Sequence, residues 1–128
     1  MANKGYRVVA PDRYLTVREE PAEVVVRLGG EVFARSAAAV RLAEGDRPEV
    51  IYVPRADIDT ARLVPSDKRF DCRWKGEAVY FHIDLLDRTL ENAVWAYPAA
   101  PENLAALRER VAFDPERFAI EVGGERLR

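Results

Sequence analysis

Short apolar runs recur along this chain at intervals of about ten residues, and glycine pairs or polar turns separate them. That spacing is too tight for helices packed on one another, and it predicts an antiparallel β architecture, either a sandwich or a barrel. Tyr14–Val17 and Glu23–Leu28 are strand-like. Gly29-Gly30 then turns the chain back into Glu31–Arg35, because glycine takes positive φ without steric cost. A second pair, Gly123-Gly124, joins Ala119–Val122 to Glu125–Leu127 in the same way. The two hairpins, VRLGGEVFAR and IEVGGERLR, look alike, although such hairpins are common enough to arise without a repeat. Glu49–Val53 is apolar and β-branched, and Pro54 ends it. Gly76–Ile83 and Thr89–Tyr97 read as a further pair around the turn 84–88.

One segment breaks the pattern. Pro101 suits a first helical position, Glu102 complements the helix dipole, and Leu104, Leu107 and Val111 recur at helical spacing. One short α-helix is therefore expected near residues 101–110. The stretch Ser36–Glu44 carries signals of both kinds. A Ser36 cap and Gly45 favour a helix, whereas the alternation of Ala38, Val40 and Leu42 favours a strand, and we take the strand. The expected fold is mainly β, one small antiparallel domain over residues 1–128.

Net charge is −2 among 20 basic and 22 acidic residues, with no block of one sign, so no basic stripe for nucleic acid is visible. The opening Met1–Gly5 leads into no apolar run of leader length, and no run approaches a membrane span. Cys72 and His82 are the sole residues of their types, which removes zinc sites built from sulfur and imidazole. A lone thiol suits a reducing cytoplasm. The expected partner is a small molecule, bound by a monomer or homodimer, with no cofactor predicted.

Chemistry concentrates between Cys72 and Tyr97. Strand alternation puts Ala78, Tyr80 and His82 on one face of their strand, and Ala93, Trp95 and Tyr97 on one face of the next. If the two strands pair, these rings form a wall, either half of a core or one side of a site for a planar ligand. Lys75 precedes Gly76 at a strand start, where it can meet a phosphate or carboxylate. Cys72 is a weak candidate nucleophile with Arg73 and Lys75 nearby, since no fixed base accompanies it. Arg55 and Asp57 follow an apolar strand and can anchor an anion or cap a turn. Asp57 and Asp59 also form the Asp-x-Asp pattern that holds Mg2+ in some phosphoryl-transfer sites.

The motifs Tyr52-x-Pro54-x-x-Asp57, Cys72-x-Trp74-Lys75-Gly76-x-Ala78-x-Tyr80, Asn92-x-x-Trp95-x-Tyr97-Pro98 and Val111-Ala112-Phe113 occur in this order. On them the chain resembles, over residues 14–127, a bacterial family known as domain of unknown function 427, which also carries a nucleotidyltransferase-like heading. The resemblance implies a small β domain of tent-like or barrel-like shape and no particular reaction. It also implies a site drawn from Tyr52, Asp57, Cys72, Lys75, Tyr80, Trp95 and Tyr97. His82 is not a motif position. The family's proline after the cysteine is Arg73 here, and its usual tyrosine is Trp74. The leading expectation is a small-molecule-binding domain, with Trp74, Tyr80, Trp95 and Tyr97 as walls and Lys75, Arg55 and Asp57 as anchors. A nucleotidyltransferase using Mg2+ on Asp57 and Asp59 is one alternative, and a protein-interaction module is the other.

Overall fold

The computed structural model describes residues 8–10 and 14–127; the Met1–Gly5 segment read above lies outside them. The chain folds into two antiparallel sheets. The larger has eight strands in the order β1-β2-β5-β6-β10-β9-β8-β7, and the smaller runs β12-β11-β3-β4. The strands are β1 (Val8–Ala10), β2 (Leu15–Glu19), β3 (Val24–Leu28), β4 (Glu31–Ser36), β5 (Val40–Glu44) and β6 (Val50–Pro54). The second half contributes β7 (Leu63–Cys72), β8 (Gly76–Asp84), β9 (Thr89–Ala96), β10 (Arg110–Phe113), β11 (Ala119–Val122) and β12 (Glu125–Arg126).

Both glycine-pair hairpins form. They are not separate repeats, since β3 pairs with β11 and the two join in the smaller sheet. At the second turn Gly123 and Gly124 both take positive φ, the conformation that a tight two-residue hairpin requires. The ambiguous stretch resolves into strand: Ser36 ends β4, and Val40–Glu44 pairs with β2 and β6.

Alternation along the large sheet divides the apolar residues between two clusters. Ile51, Val53, Phe81, Val94, Val111 and Phe113 point toward the small sheet, where they meet Val24, Val26, Phe118 and Ile120. On the opposite face Leu15, Val17, Val40, Leu42, Tyr52, Ala78, Tyr97 and Ala112 form a second cluster, capped by Leu104 and Leu107. The helix expected near 101–110 is a 3-10 segment, Glu102–Leu107, in which Leu104 leaves helical geometry (φ −125°, ψ 26°). Its apolar stripe is real, but Val111 belongs to β10, so the segment is too short for an α-helix and tightens into 3-10 turns.

The large sheet curls without closing, and β1 and β7 remain its edges. Four inter-strand steps separate β5 from β8, which in a flat sheet is about 19 Å. Yet Lys75, in the turn before β8, forms an ion pair with Glu44 at the end of β5. The tent-like shape is this curl, and its concave side carries the second cluster. No helix among the described residues is long and apolar enough to cross a membrane.

Candidate functional site

The β7–β8 hairpin sets the geometry. Cys72 pairs with Gly76 around the three residues 73–75. Such loops close on a residue with positive φ, and Gly76 sits at φ 87°. A Cβ there would lie 3.0 Å from the carbonyl oxygen of Ala99, so the turn packs backbone on backbone. This fixes Lys75 in the curl of the sheet. Its side chain is 10% exposed, and its Nζ donates to Glu44 Oε1 at 2.7 Å while lying 5.0 Å from the centre of the Tyr97 ring. Burial works against the ammonium charge, but the Glu44 carboxylate and the neighbouring Tyr97 and Cys72 outweigh it and hold the Lys75 pKa above its ordinary value.

The expected strand pairing is present. Tyr80 stands opposite Trp95. The Trp95 Nε1–H donates to the Tyr52 hydroxyl at 3.2 Å, and the Tyr52 and Tyr97 rings are 6.5 Å apart. Burial drives both phenols above their usual pKa; for Tyr97 the Lys75 charge pulls the other way without reversing it. The concave face encloses a hollow of about 580 Å³. Seven aromatic residues line it: Tyr14, Tyr52, Phe70, Trp74, Tyr80, Trp95 and Tyr97. That is more than half of the aromatic residues in a chain with five Phe, five Tyr and two Trp. Cations of the chain already lie over two more of these rings, Lys68 over Tyr80 at 4.5 Å and Arg73 over Trp74 at 5.0 Å.

Of the residues singled out in the sequence, Tyr52, Cys72, Trp74, Lys75, Tyr80, Trp95 and Tyr97 line this hollow. Arg55 and Asp57 do not, which corrects their reading as its anchors. After Pro54 the chain enters a 3-10 turn, Arg55–Asp57, that carries Arg55 over the ring of Phe81 at 5.2 Å, in the cluster between the sheets. Asp57 accepts a 2.6 Å hydrogen bond from Ser36 Oγ, and Asp59 caps the next turn by accepting from the Ala61 N–H. These carboxylates thus have local work. Among the described residues no group of three or more His, Cys, Asp or Glu side chains is arranged to hold a metal ion.

His82 also stays out of the hollow. Its Nδ1 accepts from the Asn92 N–H at 3.0 Å, where β9 bulges against β8 and Asn92 takes a φ of 52°. The bulge shifts the alternation, so Ala93 joins the cluster between the sheets rather than the face of Trp95. The sequence reading missed Tyr14, Glu44, Arg47, Phe70 and Asn92 as lining residues. Asn92 was detectable as a motif position; Glu44 and Arg47 carry no local signal, because only the curl of the sheet brings them in.

A family model described as a domain of unknown function, DUF427 (NTP_transf_9), matches residues 16–124. The chain belongs to this family. Its motif residues fall into two sets in the DUF427 fold: the hairpin and ring residues gather around the hollow, and Asp57 supports the turn after β6. No curated protein matches the chain.

Proposed function

We propose that this DUF427 domain binds a small planar metabolite with an anionic group in the hollow of its curled sheet. The supporting observation is that seven aromatic side chains surround one space, whose wall is braced by the Lys75–Glu44 pair. Rings supply contact area for a planar guest, and hydroxyls and cations supply direction. Because Lys68, Lys75 and Arg73 already occupy ring faces, a cationic guest would meet like charge, whereas an anion finds Arg47 and Arg73 on the lining. A free Cys72 on the wall suits a reducing compartment.

Thermal-shift screening against nucleotides and aromatic carboxylates tests the reading. A true ligand raises the melting temperature, and Tyr80→Ala removes the shift. No stabilisation by any of them, with Trp95→Ala binding nothing less than the parent, would overturn it.

A second reading, a protein-interaction surface, draws support from the rim, where Trp74 is 49% and Phe70 54% exposed beside Tyr14. Iodide quenching separates the two: a partner surface leaves Trp74 quenchable in the presence of small ligands, and a filled hollow shields it.

A further inference from the structure

Polar groups on the wall of the aromatic hollow keep hydrogen-bonding capacity that the chain itself does not use. The Lys75 ammonium carries three N–H donors. One goes to Glu44 Oε1 at 2.7 Å, and among the described residues no other hydrogen bond engages Nζ. No donor reaches Glu44 Oε2 either. No buried side-chain oxygen among the described residues is left without a partner, so Oε2 faces open space; Glu44 and Lys75 both line the hollow. Tyr52, 1% exposed, is bonded on one side only. Its hydroxyl accepts from the Trp95 Nε1–H at 3.2 Å, and among the described residues its own proton meets no acceptor.

These groups decide which part of a guest can sit beside them. A guest anion placed on Lys75 would also stand against the Glu44 carboxylate, in surroundings that screen charge poorly. The Lys75–Glu44 pair therefore suits a neutral edge that sets an acceptor beside a donor. Hydrogen bonds from an ammonium or to a carboxylate are the stronger kind, and a guest that covers these groups without making such bonds strips them of water for nothing in return. A ring amide held cis has its C=O next to its N–H, in the plane of the ring, and matches a spare N–H next to a spare carboxylate oxygen.

We propose that the planar guest enters with a cis-amide (lactam) edge, its carbonyl accepting from Lys75 Nζ and its N–H donating to Glu44 Oε2. The Tyr52 hydroxyl is a further donor on the same wall. This edge belongs to the hollow proposed above to take a planar anion, and it depends on that reading. The anionic group of the guest then lies away from Glu44, toward Arg47 and Arg73, which outnumber Asp71 on the rest of the lining.

Titration calorimetry of the full chain with three bicyclic acids tests the edge: 2-oxo-1,2-dihydroquinoline-4-carboxylate, its N-methyl derivative and quinoline-4-carboxylate. Only the first has N–H beside C=O. All three are monoanions, so the charges on the rest of the lining act on them alike. The lactam acid is expected to bind at least about tenfold tighter than either analogue. In Glu44→Gln its preference over the N-methyl compound falls to within about twofold, because the one glutamine carbonyl goes to Lys75 and the amide N–H faces the guest N–H. A purely structural Glu44 would weaken all three acids together and keep the ratio. The comparison in the parent chain needs no variant, so it decides the matter even where the variant does not fold. Equal binding of the three acids, or a preference that survives Glu44→Gln, would overturn the lactam edge, and equal binding would leave the hollow standing as a site for planar anions. Binding by none of the three overturns the edge as well. The thermal-shift screen with other aromatic carboxylates then judges the hollow alone.

Discussion

Lys75 Nζ lies 2.7 Å from Glu44 Oε1, although three strands separate their positions in the sheet order. The contact staples the two arms of the curled sheet together and holds the hairpin against the concave face. Both side chains are almost withdrawn from water, at 10% and 13% exposure. Removing one partner therefore strands the other. Lys75→Ala is expected to lower unfolding free energy in urea by on the order of 2–3 kcal/mol, somewhat less than a fully buried pair loses. The double variant Lys75→Met with Glu44→Leu recovers most of that loss, because two apolar groups leave no uncompensated charge.

The glycine that positions Lys75 is equally constrained. Gly76→Ala adds a Cβ 3.0 Å from a backbone oxygen at a φ of 87°. Backbone cannot yield as a flexible side chain does, so a cost of about 2 kcal/mol or more is expected from the combined strain and contact. Urea unfolding of this variant and of Gly30→Ala, where nothing lies within 4 Å, compares the two positions. The second change is expected to be nearly neutral.

Alkaline pH probes the buried phenols. Tyr52 and Tyr97 ionise above their ordinary value in the folded chain, for the most part because burial disfavours phenolate. Above about pH 10 the unfolded chain sheds phenolic protons that the folded chain keeps, so stability falls as pH rises toward the folded pKa values. Lys75 works in the same direction, since its folded pKa is also raised and its contribution, present at neutral pH, is lost only in strong alkali. Tyr52→Phe forfeits the hydrogen bond from Trp95, about 1 kcal/mol at pH 8, yet it has no phenol to ionise. Its stability deficit against the parent should shrink between pH 8 and 11 in chemical unfolding. A constant deficit would contradict the burial of that hydroxyl.

The turn after β6 is expected to matter for folding and not for ligand. Asp57→Ala leaves Ser36 Oγ without its 2.6 Å acceptor and costs about 1–2 kcal/mol in thermal or urea unfolding. Affinity of the aromatic hollow for any ligand found by screening should be unchanged. A loss of binding larger than about threefold would restore Asp57 to the site.

The two strands that carry Tyr80 and Trp95 were legible because each alternates and the turn between them is polar. The Lys75-Gly76 corner was legible because glycine at a strand start signals a backbone that needs positive φ. β7 was not, since Pro65 and the run Asp67-Lys68-Arg69 hide its alternation, as charged residues on a sheet edge do. β10 was missed because Val111 continues the spacing of Leu104 and Leu107, which made one helical stripe out of two elements. Glu44 lies 31 residues from Lys75, and no local pattern announces a partner set by the curl of a sheet. Arg55 was misplaced because it follows Tyr52 by three residues, an odd step that puts it on the opposite face of β6, over Phe81, just where the 3-10 turn begins.

Nuclear magnetic resonance of the two tryptophan indole N–H groups during ligand titration tests the central claim most directly. The account predicts that a stabilising planar anion shifts the indole signals of both Trp74 and Trp95, together with backbone amides of residues 44–52 and 72–80. A ligand that leaves both indoles in place and instead moves the amides of residues 55–62 would contradict it.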